Sequence, residues 1–498
     1  MRILYYDIDT LRADHLGCYG YCRETSPHMD RVAAEGVRFE HCYVSDAPCL
    51  PSRASLYTGR FGIHSGIVNH GGLAADLRPH GRERGFRHGA ARNSWIAALR
   101  QAGLNPVSFS PFAERHSAWW FYHGWLEMHN TGKSGMEIAP EVVPGALRWL
   151  DQHAKDDNWF LHVNVWDPHT PYRTPLDFGD PFKGQPLDEW LTEDQVKKHF
   201  AGYGPHSAQD LSDMGPCDTA RWPRIPAQIT CLNDYVRWIN GYDTGIRYAD
   251  HHLGLLLAEL ERQGVLDDTA ILISSDHGEN QGELNIYGDH HTSCNSTARV
   301  PFILRWPGLG AGRVDNALHY QTDLAATIIE LVGGQVPPLW DGRSIVGGVS
   351  PRRVSRDGDV PPAISGKGRD TLVCGNCAWS CQRSVRWDNW LLLRTYHDGL
   401  KDLPPVLLFN ILADPHLTHD RSKDRPDAVA EGLARLHEWT TVMMNTSESD
   451  VDPMWTVLRE GGPYHTRGRL GKYCEHLRAT GRAHHADALL ARHGHWMT

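Results

Sequence analysis

The chain has 498 residues, of which 41% are hydrophobic and 22% charged, and these values are ordinary for a globular protein of two or three domains. A net charge of −10 argues against nucleic acid as a partner and requires any anion site to be a local basic pocket. No apolar run approaches a membrane span, so no membrane partner is expected, and the 11 scattered cysteines suggest no disulfide framework. Because Met1 leads directly into a strand pattern without a signal-peptide layout, we expect a cytoplasmic protein.

Strands alternate with helices over the first 350 residues. The patterns predict strands at 2–9, 105–110, 159–166, 269–275 and 300–305, and helices at 94–102, 137–153, 231–262 and 323–332. This alternation predicts an α/β fold with a doubly wound, largely parallel sheet. In such a sheet functional residues gather at the carboxyl ends of strands, where this sequence has Asp9, His169, Asp276 and His277.

The pattern changes after residue 350. A stretch rich in proline, glycine and charge at 351–370 predicts a linker, and the following segment predicts a small α+β unit. The last part of the chain has helical stretches but little core, so it packs either on the main body or on a neighbouring subunit of a homo-oligomer. The predicted strands of the unit are 384–395 and 406–413, its helix is 426–441, and the predicted domains are 1–350, 351–444 and 445–498.

Residues 49–60, CLPSRASLYTGR, are the most informative stretch of the chain. Pro51 suits a first helical turn and Gly59 is a good helix stop. Cys49 is therefore expected at the mouth of a short helix, whose free N–H groups and dipole favour an anion. Arg53 lies one turn further on, where its side chain could reach back toward position 49. The alternative is a buried, inert cysteine.

Residues 49–60 resemble the signature of the type I sulfatases, C-x-P-S-R-x-x-x-x-T-G-R. The resemblance implies that a maturation enzyme converts Cys49 to formylglycine, an aldehyde that hydrates to a geminal diol. It also implies an alkaline-phosphatase-like fold, with a large mixed, mostly parallel sheet flanked by helices. A small C-terminal α+β subdomain with a four-stranded antiparallel sheet would follow. Weaker matches extend the resemblance over residues 1–440.

Carboxylates at neighbouring strand ends can converge on a cation, and oxygen ligands suit Ca²⁺, Mg²⁺ or Mn²⁺, although a lone aspartate there more often caps a helix. The resemblance makes Asp9, Cys49, Asp276 and His277 the ligands of one divalent metal ion. We expect Ca²⁺, while the His277 nitrogen widens the choice toward Mn²⁺ or Zn²⁺.

One carboxylate of the family pattern is missing, because sulfatases typically have Asp-Asp where this chain has Asp9-Thr10. Asp7 lies two residues earlier on the same face of the strand. It either compensates for the missing ligand or is a buried acid paired elsewhere.

The resemblance also implies a sulfate pocket. Asn69 would hydrogen-bond the ester, and His169 would protonate the leaving group. His290 is the expected replacement for a family lysine, with the register uncertain by one residue, and histidine is charged only near or below its pKa. Where the family often has Gly-Lys-Trp-His, this chain has a different loop, whose Arg115 or His116 either supplies the missing charge or lies on the surface.

Two further features are weaker. Residues 461–469 are rich in glycine and basic side chains, so they either reach an active site or form a solvated segment. Cys374, Cys377 and Cys381 have metal-site spacing, but no fourth ligand is evident, and reduced cysteines are the better interpretation.

We therefore interpret the chain as a sulfuric ester hydrolase. A hydroxyl of hydrated formylglycine, activated by the metal and oriented by Arg53, would attack sulfur, and His70 or His116 would serve as base when the second hydroxyl expels sulfate. A sulfated carbohydrate, such as a glycosaminoglycan or other polysaccharide fragment, is the expected substrate. The alternatives are a phosphonate monoester or phosphodiester hydrolase of the same superfamily and a non-catalytic binding protein on the same scaffold.

Overall fold

A computed structural model describes residues 1–133, 135–347, 363–364 and 367–494. The strands are β1 Arg2–Ile8, β2 Val37–Tyr43, β3 Asp46–Ala47, β4 Asn105–Phe109, β5 Glu127–His129, β6 Trp159–Val165, β7 Thr269–Ser275, β8 Arg299–Arg305, β9 Arg313–Tyr320, β10 Val346–Gly347, β11 Ala363–Ile364, β12 Leu372–Asn376, β13 Cys381–Trp387, β14 Trp390–His397 and β15 Val406–Asn410. The helices are α1 Pro27–Ala34, α2 Cys49–Thr58, α3 Gly62–Ser65, α4 Gly89–Arg92, α5 Trp95–Gln101, α6 Phe112–His116, α7 Ala139–His153, α8 Glu193–Ala201, α9 Leu232–Arg262, α10 Asn295–Ala298, α11 Gln321–Leu331, α12 Pro426–Thr446, α13 Pro453–Arg459, α14 Leu470–Ala479 and α15 Ala483–His493.

The main sheet has eight strands in the order β5-β4-β6-β1-β7-β8-β2-β9. β1 is central and parallel to both β6 and β7, whereas β8 runs antiparallel to β7 and β2. The middle of β1 is apolar because both of its faces are covered: Ile3 and Tyr5 belong to one hydrophobic core, and Leu4, Tyr6 and Ile8 to the other. The expected mixed, mostly parallel sheet flanked by helices is therefore confirmed.

A second sheet, in the order β15-β14-β13-β12-β3, contains the four antiparallel strands expected of the C-terminal subdomain. The strand predicted at 384–395 is wrong in detail. It is two strands of a hairpin, β13 and β14, reversed at Asp388, whose φ is 42°. The fifth strand, β3, pairs in parallel with β12 and ends two residues before Cys49.

The C-terminal tail folds back on the main body. α14 and α15 pack on each other, and buried Asp210, in the loop after α8, pairs with Arg482 of α15's N-terminal flank at 2.9 Å. His476 on α14 contacts the same carboxylate at 2.8 Å. Of the two alternatives for the tail, packing on the main body is therefore the one observed within this chain. The predicted linker at 351–370 lies mostly outside the described residues, so the domain boundary stays a prediction.

Cys374, Cys377 and Cys381 are free and buried within or beside the second sheet, and they form no metal-ligand group with other described residues. None of the described helices combines the length and apolar character needed to cross a membrane.

The helix that begins at Cys49 ends at a glycine with a specific requirement. Gly59 has φ 68°, and a Cβ there would overlap the Trp340 ring. We predict that Gly59→Ala lowers the free energy of unfolding by about 3 kcal/mol, because left-handed strain and overpacking add. Gly20→Ala is the matched control: Gly20 has φ 95° with no atom within 4 Å, so it should cost about 1 kcal/mol in urea unfolding. If both variants lost the same free energy of unfolding, the predicted overlap with the Trp340 ring would be contradicted.

Candidate active site

Four predicted ligand residues meet where β1, β7 and the N-terminus of α2 converge. Asp9, Cys49, Asp276 and His277 are buried, and their ligand atoms lie within 4.8 Å of one another. His277 Nε2 is 3.2 Å from Cys49 Sγ, 3.6 Å from Asp276 Oδ2 and 3.9 Å from Asp9 Oδ1. Asp9 follows β1, and Asp276 and His277 follow β7, and both strands end at the same edge of the sheet. Cys49 begins α2, the helix that faces this edge.

These side chains fit a cation. Asp9 Oδ1 is buried without a hydrogen-bond partner among the described residues, and Asp276 Oδ2 likewise has no hydrogen bond, although it lies 3.2 Å from Arg53 Nε in an ion pair. His277 Nδ1 lies 2.7 Å from the Gly278 carbonyl, to which it donates, so the lone pair of Nε2 points at the carboxylates. Burial lowers the pKa of His277 to about 4, which keeps the ring neutral, as a metal ligand must be. Burial and the Asp276 charge raise the pKa of Asp9 well above its usual range.

Arg53 lies among the carboxylates. Its guanidinium is 3.2 Å from Asp276 Oδ2 and 3.5 Å from Asp9 Oδ2, and it also donates to Asp7. Asp7 additionally contacts His162 Nε2 at 3.0 Å, and it does not belong to the group of converging ligand atoms. Of the two alternatives for Asp7, the structure therefore shows the buried acid that is paired with other side chains.

The loop that departs from the family pattern enters the pocket. Arg115 and His116 lie on α6. The guanidinium carbon of Arg115 is 3.9 Å from the centre of the Trp166 ring, and its charge lowers the pKa of the Cys49 thiol against the raising effect of burial. A ring nitrogen of His116 lies within 4.8 Å of Cys49 Sγ and of a His70 nitrogen. The alternative of a surface loop is excluded by this position.

His169 and His290 face each other across the same pocket, with ring centres 5.6 Å apart. His169 follows β6 and stacks on Trp166 at 4.1 Å. The His290 ring is 4.4 Å from the His277 ring, and His290, His277 and Cys49 form a further group of converging ligand atoms. His290 thus occupies the side of the pocket nearest the carboxylates, and its role as the replacement for a lysine stays a prediction.

Several nitrogen atoms around the pocket are buried and have no hydrogen-bond partner among the described residues. Unpaired buried polar atoms of this kind, whether donors or acceptors, cost about 1–3 kcal/mol each unless a ligand satisfies them. Burial lowers the pKa of each of the three histidines concerned well below its usual value, so they are neutral without a bound anion. The atoms are Asn69 Nδ2, His70 Nε2, Arg115 Nη1, His116 Nε2 and His169 Nε2.

The tail supplies a residue that sequence reasoning missed. His465 Nε2 is 2.8 Å from His70 Nδ1, and its ring stacks on Trp379 at 4.5 Å. The neighbouring Tyr464 backbone N–H donates to Asn69 Oδ1 at 3.4 Å. The basic, glycine-rich composition of residues 461–469 was the only available signal, and it gave no position. Of its two interpretations, the structure supports the one in which this segment reaches the pocket.

The Cys49 thiol is a poor nucleophile as encoded. Burial, together with the charges of Asp9 and Asp276, raises the pKa of the thiol well above its usual range. The thiolate would be the reactive form, and these surroundings suppress it. As encoded, Cys49 is therefore an unreactive thiol at the centre of the pocket.

We predict that Asp7→Asn lowers the free energy of unfolding by about 3 kcal/mol at neutral pH, because it removes the buried carboxylate oxygen that Arg53 and His162 share as a hydrogen-bond partner. Burial alone would raise the pKa of Asp7, but Arg53 and His162 hold it below its usual value. The stabilisation is therefore complete above about pH 5 and is lost as the pH falls through the lowered folded-state value. Urea unfolding measured against pH tests both parts.

Asp267→Asn is the matched control, because the Asp267 side chain is fully exposed and pairs only with Arg305 at 3.2 Å among the described residues. It should change stability by less than about 0.5 kcal/mol at any pH. A pH-independent loss in Asp7→Asn would contradict the ion pair.

Comparison with known proteins agrees with this geometry. Residues 3–334 match the Sulfatase family model. An N-acetylglucosamine-6-O-sulfatase of Bacteroides thetaiotaomicron is 23% identical over 393 residues, covering 69% of this chain and 70% of that protein. The multifunctional alkaline phosphatase superfamily protein PehA of Trinickia caryophylli is 24% identical over 374 residues, covering 64% of this chain and 70% of that protein.

Two solved structures share the fold. BT4656 in complex with its substrate D-glucosamine-2-N,6-O-disulfate aligns with a TM-score of 0.68 at 18% identity, over 91% of this chain and 99% of that one. The phosphonate monoester hydrolase SpPMH from Silicibacter pomeroyi aligns with a TM-score of 0.64 at 20% identity, over 92% and 97%. Because the family model matches about two thirds of the chain and spans the strands that carry the converging ligands, the protein belongs to the sulfatase family and is a sulfuric ester hydrolase.

Proposed function

We propose that this sulfatase acts on a sulfated carbohydrate and uses formylglycine, formed from Cys49 by a maturation enzyme. The observation that carries the proposal is the convergence of Asp9, Asp276 and His277 on the side chain at position 49. The carbohydrate part is supported by relatives, which include an N-acetylglucosamine-6-O-sulfatase and an ulvan-active sulfatase of Formosa agariphila.

The metal ligands in this proposal are Asp9, Asp276, His277 and the side chain at position 49. Two carboxylates and a mostly oxygen donor set suit Ca²⁺, and the single imidazole nitrogen also allows Mn²⁺, Mg²⁺ or Zn²⁺. When bound, the ion would neutralise the two carboxylates and act as a Lewis acid toward the sulfuryl oxygens. Arg53 holds both carboxylates through ion pairs, with Asp9 Oδ2 at 3.5 Å and with Asp276 Oδ2, the oxygen that also faces His277, at 3.2 Å.

Formylglycine supplies two hydroxyl groups when hydrated, one for attack on sulfur and one for release of sulfate. Position 49 is the first residue of α2, where free backbone N–H groups favour an anion. Arg115 and Asn69 place unpaired donors beside it, and these donors suit the sulfuryl oxygens. An unmodified thiol could not release sulfate in this way.

His169 is the proposed proton donor to the leaving alcohol. Its Nδ1 lies 2.5 Å from the Thr170 carbonyl, and its Nε2 is buried without a partner. Burial and the Arg115 charge lower the pKa of His169, so it is neutral in the free protein. An anionic sulfate ester bound beside His169 would raise that pKa. His169 would then carry a proton on Nε2 and could donate it to the oxygen of the departing alcohol.

His70 and His116 are the proposed bases for sulfate release. Their ligand atoms lie within 4.8 Å of Cys49 Sγ, and their rings are 4.9 Å apart. The bond between His465 and His70 fixes the orientation of the His70 ring. Tyr464, about half exposed and packed over Gly71, offers an aromatic surface at the rim where a sugar ring would lie.

We predict that Cys49→Ala reduces turnover of an aryl sulfate by roughly four orders of magnitude, to background. Cys217→Ala is the control, because Cys217 is also buried but lies outside the pocket, and it should keep wild-type turnover. Intact mass of protein co-produced with a maturation enzyme should fall below the encoded value, as an aldehyde replaces the thiol. A full cysteine mass after such co-production, or full turnover in Cys49→Ala, would defeat the proposal.

A phosphonate monoester or phosphodiester hydrolase is the second candidate. The observation that favours it is the ligand set with one leading aspartate and a histidine, Asp9 and His277, on a fold shared with SpPMH. Paired assays on an aryl sulfate and an aryl phosphodiester separate the two. We predict a kcat/KM at least tenfold higher on the sulfate, and faster phosphodiester turnover would reverse the assignment.

A further inference from the structure

A second cluster of metal-ligating side chains lies beside the pocket. It consists of His206, in the loop after α8, with Asp289 and His291, in the loop between β7 and α10. One ligand atom from each lies within 4.8 Å of the other two. His206 Nε2 is 3.5 Å and His291 Nε2 is 3.8 Å from the same oxygen, Asp289 Oδ2. Both distances are long for a hydrogen bond, so two imidazoles point at one carboxylate oxygen without bonding to it.

The two imidazole rings are buried, and three of their four nitrogen atoms have no hydrogen-bond partner among the described residues. His291 is fully buried, and neither of its ring nitrogens has a hydrogen-bond partner among the described residues. Its ring stacks on Trp379 at 4.0 Å, which fixes its direction. His206 Nδ1 is also without a partner, and its ring packs edge-on against Trp379 at 5.3 Å. An unsatisfied buried nitrogen costs free energy, and a ligand bound to His291 Nε2 would remove that cost for this atom.

We propose that His206, Asp289 and His291 bind a second divalent metal ion of the Zn²⁺ class. Two imidazole nitrogens and one carboxylate are a donor set that Zn²⁺ takes with water in the remaining position. The ion would take His206 Nε2, His291 Nε2 and Asp289 Oδ2, and of these His291 Nε2 is buried without a partner among the described residues. The His206 and Asp289 side chains are 11% and 13% exposed, which gives the ion a path from solvent.

The second ion would act on the first site through Asp289. The other oxygen of this carboxylate, Oδ1, is 2.8 Å from His290 Nδ1, and His290 faces Cys49. An ion on Oδ2 would therefore hold the backbone loop that carries His290 into the pocket. Its role is to position that loop, because none of its three ligands belongs to the first group.

Lys401 is the nearby positive charge that binding must overcome. Its side chain is buried, donates to the Gly399 carbonyl at 3.3 Å and lies 5.5 Å from the Trp379 ring centre. Burial lowers the pKa of Lys401 to about 7, so the amine gives up its proton readily when a cation approaches.

Zinc stoichiometry tests the proposal without any assay of turnover. The mature, full-length protein is stripped with a chelator, titrated with Zn²⁺ and freed of excess ion, and the bound zinc is counted by elemental analysis. We expect two equivalents in the wild type and one in His206→Gln. Asp9→Asn, which removes a ligand of the first site, should also keep one. His252→Gln is the matched control, since His252 is buried on α9 and bonds the Tyr248 carbonyl away from both sites.

The proposal stands if His206→Gln removes one equivalent, whatever the count at the first site, and it falls if the count is unchanged. Retention of the first equivalent and an unaltered far-ultraviolet circular dichroism spectrum show that the variant is folded. If His206→Gln does not fold, zinc X-ray absorption on Asp9→Asn decides the matter. A shell with two imidazoles supports the second site, and a shell without them overturns it.

Discussion

The whole site depends on burying three carboxylates around one guanidinium. Asp7, Asp9 and Asp276 are nearly inaccessible, and Arg53, equally buried, contacts all three. His277 is neutral, so the group carries two uncompensated negative charges when all three acids are ionised. Burying two unpaired negative charges costs a large amount of free energy. One bound divalent cation would neutralise them. Without an ion, burial and the neighbouring charge of Asp276 raise the pKa of Asp9, which is a consequence of the same excess of negative charge.

The C-terminal subdomain is part of this arrangement. β3 adds to the edge of its sheet, the Gly375 N–H donates to the Ser45 carbonyl at 2.8 Å, and Cys49 follows two residues after β3. Strand pairing therefore fixes the backbone that enters the helix from one side, while Gly59 and Trp340 fix its exit. The tail adds His465 on the far wall of the pocket. Segments far apart in the chain thus hold one short helix in place.

Sequence patterns predicted those features that depend on local burial. β1, β6 and β7 are apolar runs because both faces of a central strand are covered, and the acids that end them stand out for that reason. β2 and β9 were missed because polar and half-exposed side chains interrupt them. The turn at Asp388 between β13 and β14 was missed because the pattern predicted one continuous strand at 384–395. The position of His465 depends on how the tail packs, which no local pattern records.

In the loop after β7, neighbouring side chains belong to two different clusters of ligand atoms. Successive side chains there point to different places: His290 faces Cys49, whereas His291 stacks on Trp379 and faces His206. Asp289, between the two directions, contacts both histidines and has a left-handed φ of 66°. A non-glycine residue held in this conformation requires support from its surroundings. A metal ion on Asp289 would hold this carboxylate and, through the contact between Asp289 and His290, would fix the position of His290 in the pocket.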